Sequence, residues 1–145
     1  MKDGFPRGVQ FTPVPNPLLA SLLEDIDNLD ELKLVLRTIH ALHRQRKVPA
    51  YISFSDLLSD RTVAAMLHAS SGDLETLVTR LIAAAARRGI LLVTGNEEGQ
   101  KCIFLNTEPV RRALVRQGID FSTKPGKPSE TWPNTEATRP KMSAI

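Results

Sequence analysis

Leu18, Leu19, Leu22, Leu23 and Ile26 follow one another at helical spacing, a pattern that predicts a short helix over 17–26. Next, Leu29, Leu32, Val35, Leu36, Ile39, Leu42 and His43 fall on one face of a helical wheel, with Lys33, Arg37 and Arg44 opposite. Asn28 or Asp30 caps this second helix. It is expected to end near Arg46 and Lys47, where cations suit the negative end of the dipole, before Pro49. Residues 50–54 read as a short β-like piece. Ser55 is expected to cap a helical segment through Leu57 and Leu58, which 60–68 either extends or follows as a second short helix.

After a break at 69–72, residues 73–88 give the clearest helix. Leu74, Leu77, Val78, Leu81, Ile82, Ala84 and Ala85 form its inner face, and Gly89 stands at the C′ position. The apolar runs 90–94 and 101–105, joined by a loop at 95–99, predict a β-hairpin. A last helix over 107–117 turns Val110, Leu114 and Val115 inward.

The ends read differently. Residues 1–10 are expected to be flexible. Pro13, Pro15 and Pro17 keep 11–16 extended, with Asn16 as N-cap and Pro17 opening the first helix. Phe11, Val14, Leu18, Leu19 and Leu22 offer enough apolar surface to dock on the core or on a second copy. Residues 120–145 carry four prolines and no periodicity, the composition of a disordered tail dispensable for folding. Trp132 is the one candidate contact residue in that tail. One domain over 11–119 follows.

The fold class is mainly α with a small β-hairpin (α+β). Three helices, a short strand between the first and second, and a closing hairpin make the winged helix-turn-helix arrangement. Residues 73–88 then take the recognition position and 95–99 the wing tip.

Charge matters only once it is located. The chain is +3 overall with a pI near 9.3, which suits a nucleic-acid partner. Between residues 17 and 106, however, ten Lys/Arg face eleven Asp/Glu. The excess basicity lies in Arg111, Arg112, Arg116 and the tail. No run approaches the roughly 20 apolar residues of a membrane span. The start of the chain lacks a signal-peptide pattern, so a cytoplasmic protein is expected.

The single cysteine, Cys102, is read as a buried hairpin residue. His40 and His43 stand three apart with no second pair, and they are read as core-edge histidines rather than metal ligands. There is no nucleophile–base–acid set, phosphate loop or catalytic carboxylate pair. A non-enzyme without cofactor, metal or small-molecule ligand is expected.

The outward stripe of 73–88 is Thr76, Thr79, Arg80, Ala83 and Arg87. Ala83 and Ala86 allow close approach to a major groove, the arginines reach bases or phosphates, and the threonines suit phosphates. Arg44, Arg46 and Lys47 form a second basic cluster for the DNA backbone. Glu75, Glu97 and Glu98 oppose a phosphate partner. In the plainer reading Arg80, Arg87 and Arg88 are solvated, the last two answering the helix dipole. A module that binds protein instead of DNA, as a homodimer through 11–26, stays open.

The opening Phe11-Thr12-Pro13-Val14-Pro15-Asn16-Pro17-Leu18-Leu19 resembles the N-terminal winged-helix domains of DnaD-like and phage replication-initiation proteins. The stretches Asp30-Glu31-Leu32-Lys33-Leu34-Val35-Leu36-Arg37 and Ile52-Ser53-Phe54-Ser55-Asp56-Leu57-Leu58 extend the resemblance. In such families the first leads into the domain, the second is the opening core helix, and the third enters the helix-turn-helix. The resemblance implies a part in loading the replicative helicase, through DNA binding and self-association. Residues 120–145 are too short and proline-rich to supply the C-terminal DnaD helical domain, which favours a stand-alone DNA-binding or protein-bridging module.

Overall fold

The computed structural model of the chain describes residues 4–68, 71–95, 99–119 and 121. Glu97, Glu98, Trp132 and, apart from Phe121, the stretch 120–145 lie outside the described residues.

The proline arm leads into a 3₁₀ turn, Asn16–Leu19, and a short helix α1, Ser21–Asp25. The single helix expected over 17–26 is therefore broken. Ala20 leaves the helical region with φ −124° and ψ −109°, and Asn16 makes no side-chain cap. Leu18 is 2% exposed, and Val14 and Leu22 pack half-buried on the core. Phe11 and Leu19 do not dock on the core; they are 84% and 56% exposed.

Helix α2, Leu29–His43, starts where Asn28 accepts the Glu31 amide at 3.1 Å. It ends at His43 rather than near Lys47; Arg44 is its C-cap, and the Arg44 amide donates hydrogen bonds to the carbonyls of His40 and Ala41 at 3.3 Å. Its buried arc is also rotated from the expected one. Glu31, Leu34, Val35, Thr38, Ile39 and Leu42 are buried, while Leu29, Leu36 and His43 are exposed. Apolar side chains run so far around this helix that its period alone leaves the inward face open.

Strand β1, Ile52–Ser53, runs into α3, Phe54–Leu58. Ser53 caps α3, in place of the expected Ser55. Its hydroxyl takes the Asp56 amide at 3.0 Å, and the Asp56 carboxylate takes the Ser53 amide at 3.2 Å. Helix α4, Arg61–Leu67, is separate from α3, with Asp60 as its N-cap.

Helix α5, Ser71–Arg87, buries Leu74, Val78, Leu81, Ile82 and Ala85, the face its period predicts. It stops in a Schellman turn, in which the Ile90 amide donates to Ala85 O and the Gly89 amide to Ala86 O, both at 3.0 Å. Gly89 supplies the positive φ of +84° that this turn needs.

Strands β2, Leu91–Gly95, and β3, Lys101–Leu105, form the expected antiparallel hairpin. Strand β1 adds to its far side, giving the order β1-β3-β2 with Ile52 opposite Ile103. Leu91 and Ile103 join the helical core, with Val93 and Leu105 packed against it. Leu92 and Phe104 lie in a second cluster with Leu114 of α6, Glu108–Arg116. Both faces of the hairpin are thus covered, which explains why its strands read as continuous apolar runs. Cys102 is only half-buried beside that second cluster, where a buried position was expected. Val115, expected inward, is 66% exposed, and Ala113 takes the buried position. Among the described residues the architecture is α+β, with helices on a small antiparallel sheet.

Candidate nucleic-acid interface

Helix α5 spends its apolar stripe on the core, so its opposite stripe faces solvent. Thr76, Thr79, Arg80, Ala83 and Arg87 are all exposed. A 17-residue helix is about 25 Å long, and Arg80 and Arg87 stand two turns apart on it, about 10 Å. Thr79 has already engaged its hydroxyl, which donates to the Glu75 carbonyl at 2.7 Å. Thr76 and Arg80 thus remain the polar groups best able to meet a partner in the first half of the stripe. Glu75 is exposed at its entrance.

Arg88 is not the solvated residue expected beside Arg87. Its Nε donates to Glu31 Oε2 at 2.6 Å and its Nη2 to Glu31 Oε1 at 3.3 Å. The Glu31 hydrogen bond raises the Arg88 pKa against the lowering by burial, helped by the charges of Glu31, Asp25 and Asp27. Glu31 is 3% exposed, so in the first turn of α2 it serves as a buried ion-pair partner. The pair ties the end of α5 to the first turn of α2. A carboxylate in a Leu/Val-rich stretch is the sequence signal for it, but its burial and the identity of its cation depend on the fold.

A second ion pair sets the other helices. Arg37 Nε donates to Asp60 Oδ2 at 3.1 Å, while Asp60 Oδ1 takes the amides of Thr62 and Val63 at 2.8 and 3.2 Å. Burial on its own pushes the Asp60 carboxyl up. The Arg37 bond and charge, with the Val63 and Thr62 amides, outweigh it and hold the carboxyl below its usual value.

The second basic cluster sits past α2, on the connection to β1. Arg44 and Arg46 are exposed, and the Lys47 ammonium lies 3.8 Å over the Tyr51 ring. The fold does not join this cluster to the end of the α5 stripe. Arg88, next to Arg87, is held at Glu31, and Arg44 lies thirteen residues further along α2, about 20 Å away.

Near the end of α2 lies an open cleft of about 280 Å³ with apolar walls from Pro13, Ile39, Leu42, Ala50, Leu105 and Val110. His43, Gln45 and Thr107 supply its polar groups. His43 is exposed, and His40 Nδ1 lies 3.1 Å from Thr12 Oγ1, a link that fastens the proline arm to α2. No cluster of three metal-ligating side chains occurs among the described residues, and no helix there is long and apolar enough to cross a membrane. No protein-family model, curated protein or solved structure matches the chain.

Proposed function

We propose that the chain is a non-enzymatic winged-helix module that binds double-stranded DNA through the outward face of α5, in replication initiation or transcriptional regulation. The observation that carries this reading is the placement of α5 immediately before a hairpin in a β1-β3-β2 sheet, with Thr76, Arg80, Ala83 and Arg87 exposed along it. In a winged helix that position belongs to the helix that enters the major groove. Small Ala83 lets the backbone approach, and the two arginines flank it. Arg44 and Arg46, on the connection past α2, supply phosphate contacts outside the groove. The replication role rests on the DnaD-like opening of the chain.

Duplex binding at low salt tests the reading. The Arg80→Ala, Arg87→Ala double variant weakens binding with an unchanged melting curve. Removing one phosphate-binding side chain lowers the log–log salt slope by about 0.9. Full affinity in that variant moves the contact to Arg44, Arg46 and Lys47, and no binding at low salt sinks the DNA reading.

A second reading, a self-associating protein-interaction module, is favoured by one observation. Phe11, Leu19 and Leu23 are large apolar side chains all left exposed in the segment 11–26. Sedimentation of the wild type beside Phe11→Ser, Leu19→Ser separates the two readings, since only an interface there loses mass on substitution.

A further inference from the structure

We propose that the chain's own segment Glu130-Thr131-Trp132-Pro133-Asn134-Thr135-Glu136 docks in the cleft between the proline arm, the end of α2 and the start of α6, with Trp132 as its anchor. At about 280 Å³ the cleft is small for a cofactor site and suited to one large aromatic side chain. A buried indole also needs an acceptor for its N–H. Gln45 lines the cleft, and its amide nitrogen is engaged by the Ala41 carbonyl at 3.3 Å, leaving its amide oxygen to accept. Thr107 also lines the cleft and caps α6 without a side-chain hydrogen bond.

Charge selects the segment. Glu130 and Glu136 bracket Trp132, and Arg44 and Arg46 bracket Gln45. Both arginines are exposed, while the nearby acid of α6, Glu108, is already paired with Arg112 at 3.1 Å. The path is short as well. Phe121 packs against the cluster of Leu92, Phe104 and Leu114, and Val110 belongs both to that cluster and to the cleft wall. The chain therefore leaves the core beside the cleft. The eleven residues from Phe121 to Trp132 reach up to about 36 Å, so an intramolecular approach is open. A tether of about this length gives an effective concentration of order millimolar, enough to hold a weak contact closed.

Trp132 is the only tryptophan, so the emission of the full chain reports its surroundings directly. The expected result is emission shifted to the blue, and weaker iodide quenching, relative to a peptide of residues 126–138, both independent of protein concentration. Arg44→Glu with Arg46→Glu shifts the emission back to the red without altering the melting curve. Adding Glu130→Lys and Glu136→Lys to that variant restores the blue shift. Emission equal to that of the peptide overturns the proposal. So does a blue shift that grows with concentration, which places Trp132 in a second copy. A blue shift indifferent to the Arg44/Arg46 reversal also overturns it, since Trp132 is then buried elsewhere. The test does not depend on whether the chain binds DNA.

Discussion

Arg88 at the end of α5 and Glu31 in the first turn of α2 form a two-point ion pair, with Nε 2.6 Å from Oε2 and Nη2 3.3 Å from Oε1. The two partners differ in exposure. The Glu31 side chain is 4% exposed and that of Arg88 is 26%, so their removal has unequal consequences. Arg88→Ala strands a buried carboxylate and should cost about 3 kcal/mol. Glu31→Gln leaves a cation that can still reach water, and should cost less. The double variant Glu31→Leu, Arg88→Met should recover much of the loss, because an apolar pair of similar volume often replaces a buried ion pair without penalty. Urea unfolding of the four proteins checks the order, and equal losses for the two single variants would contradict the asymmetry.

Thr38 makes the opposite point about buried polarity. Its Oγ1 is fully buried in α2 and makes no hydrogen bond among the described residues. An unsatisfied hydroxyl costs roughly 1–3 kcal/mol, and Val has nearly its shape. Thr38→Val should therefore unfold at the same temperature or higher. A clear drop in the melting temperature would mean that the hydroxyl has a partner.

Asp60 links stability to pH. Its carboxyl is held below its usual value in the fold, so the folded state binds the proton less readily than the unfolded chain. The stabilisation is complete above the unfolded value near 4 and is lost as pH falls through the lower folded value. Denaturation midpoints measured from pH 6 down to pH 2 should fall less steeply for Asp60→Asn than for wild type. Identical slopes would show that the Arg37 pairing has no net effect.

Adjacent leucines in the first turn should behave differently. Leu18→Ala removes a 2%-exposed side chain and should cost about 2–4 kcal/mol. Leu19→Ala alters a largely exposed one and should change stability by no more than about 0.5 kcal/mol. Thermal melts of the two variants decide. A large loss for Leu19→Ala at low protein concentration would place that residue in a core.

Helix α5 was legible because its period admits one solution, and the hairpin because two short apolar runs flank a polar loop bounded by glycines. A single apolar arc on α5 leaves Thr76, Arg80, Ala83 and Arg87 outside, and Gly89 marks its end. Two apolar runs so close in sequence pair antiparallel. Three other features were not legible. Helix α2 carries leucines, Val35 and Ile39 around much of its circumference, and only the packing of α5 and the reach of Arg88 decide that Glu31 and Thr38 turn inward. Leu18 and Leu19 satisfy the same pattern, and the break at Ala20 selects between them. Ser53 and Ser55 are equivalent as caps by type, and the pairing of β1 with β3 favours Ser53 by fixing where the strand ends. Local periodicity and turn chemistry thus set which elements form, because they act over a few neighbouring residues. Which face is buried, which cation meets Glu31 and where the cleft opens depend on contacts between distant segments, and those exist only once the chain has folded.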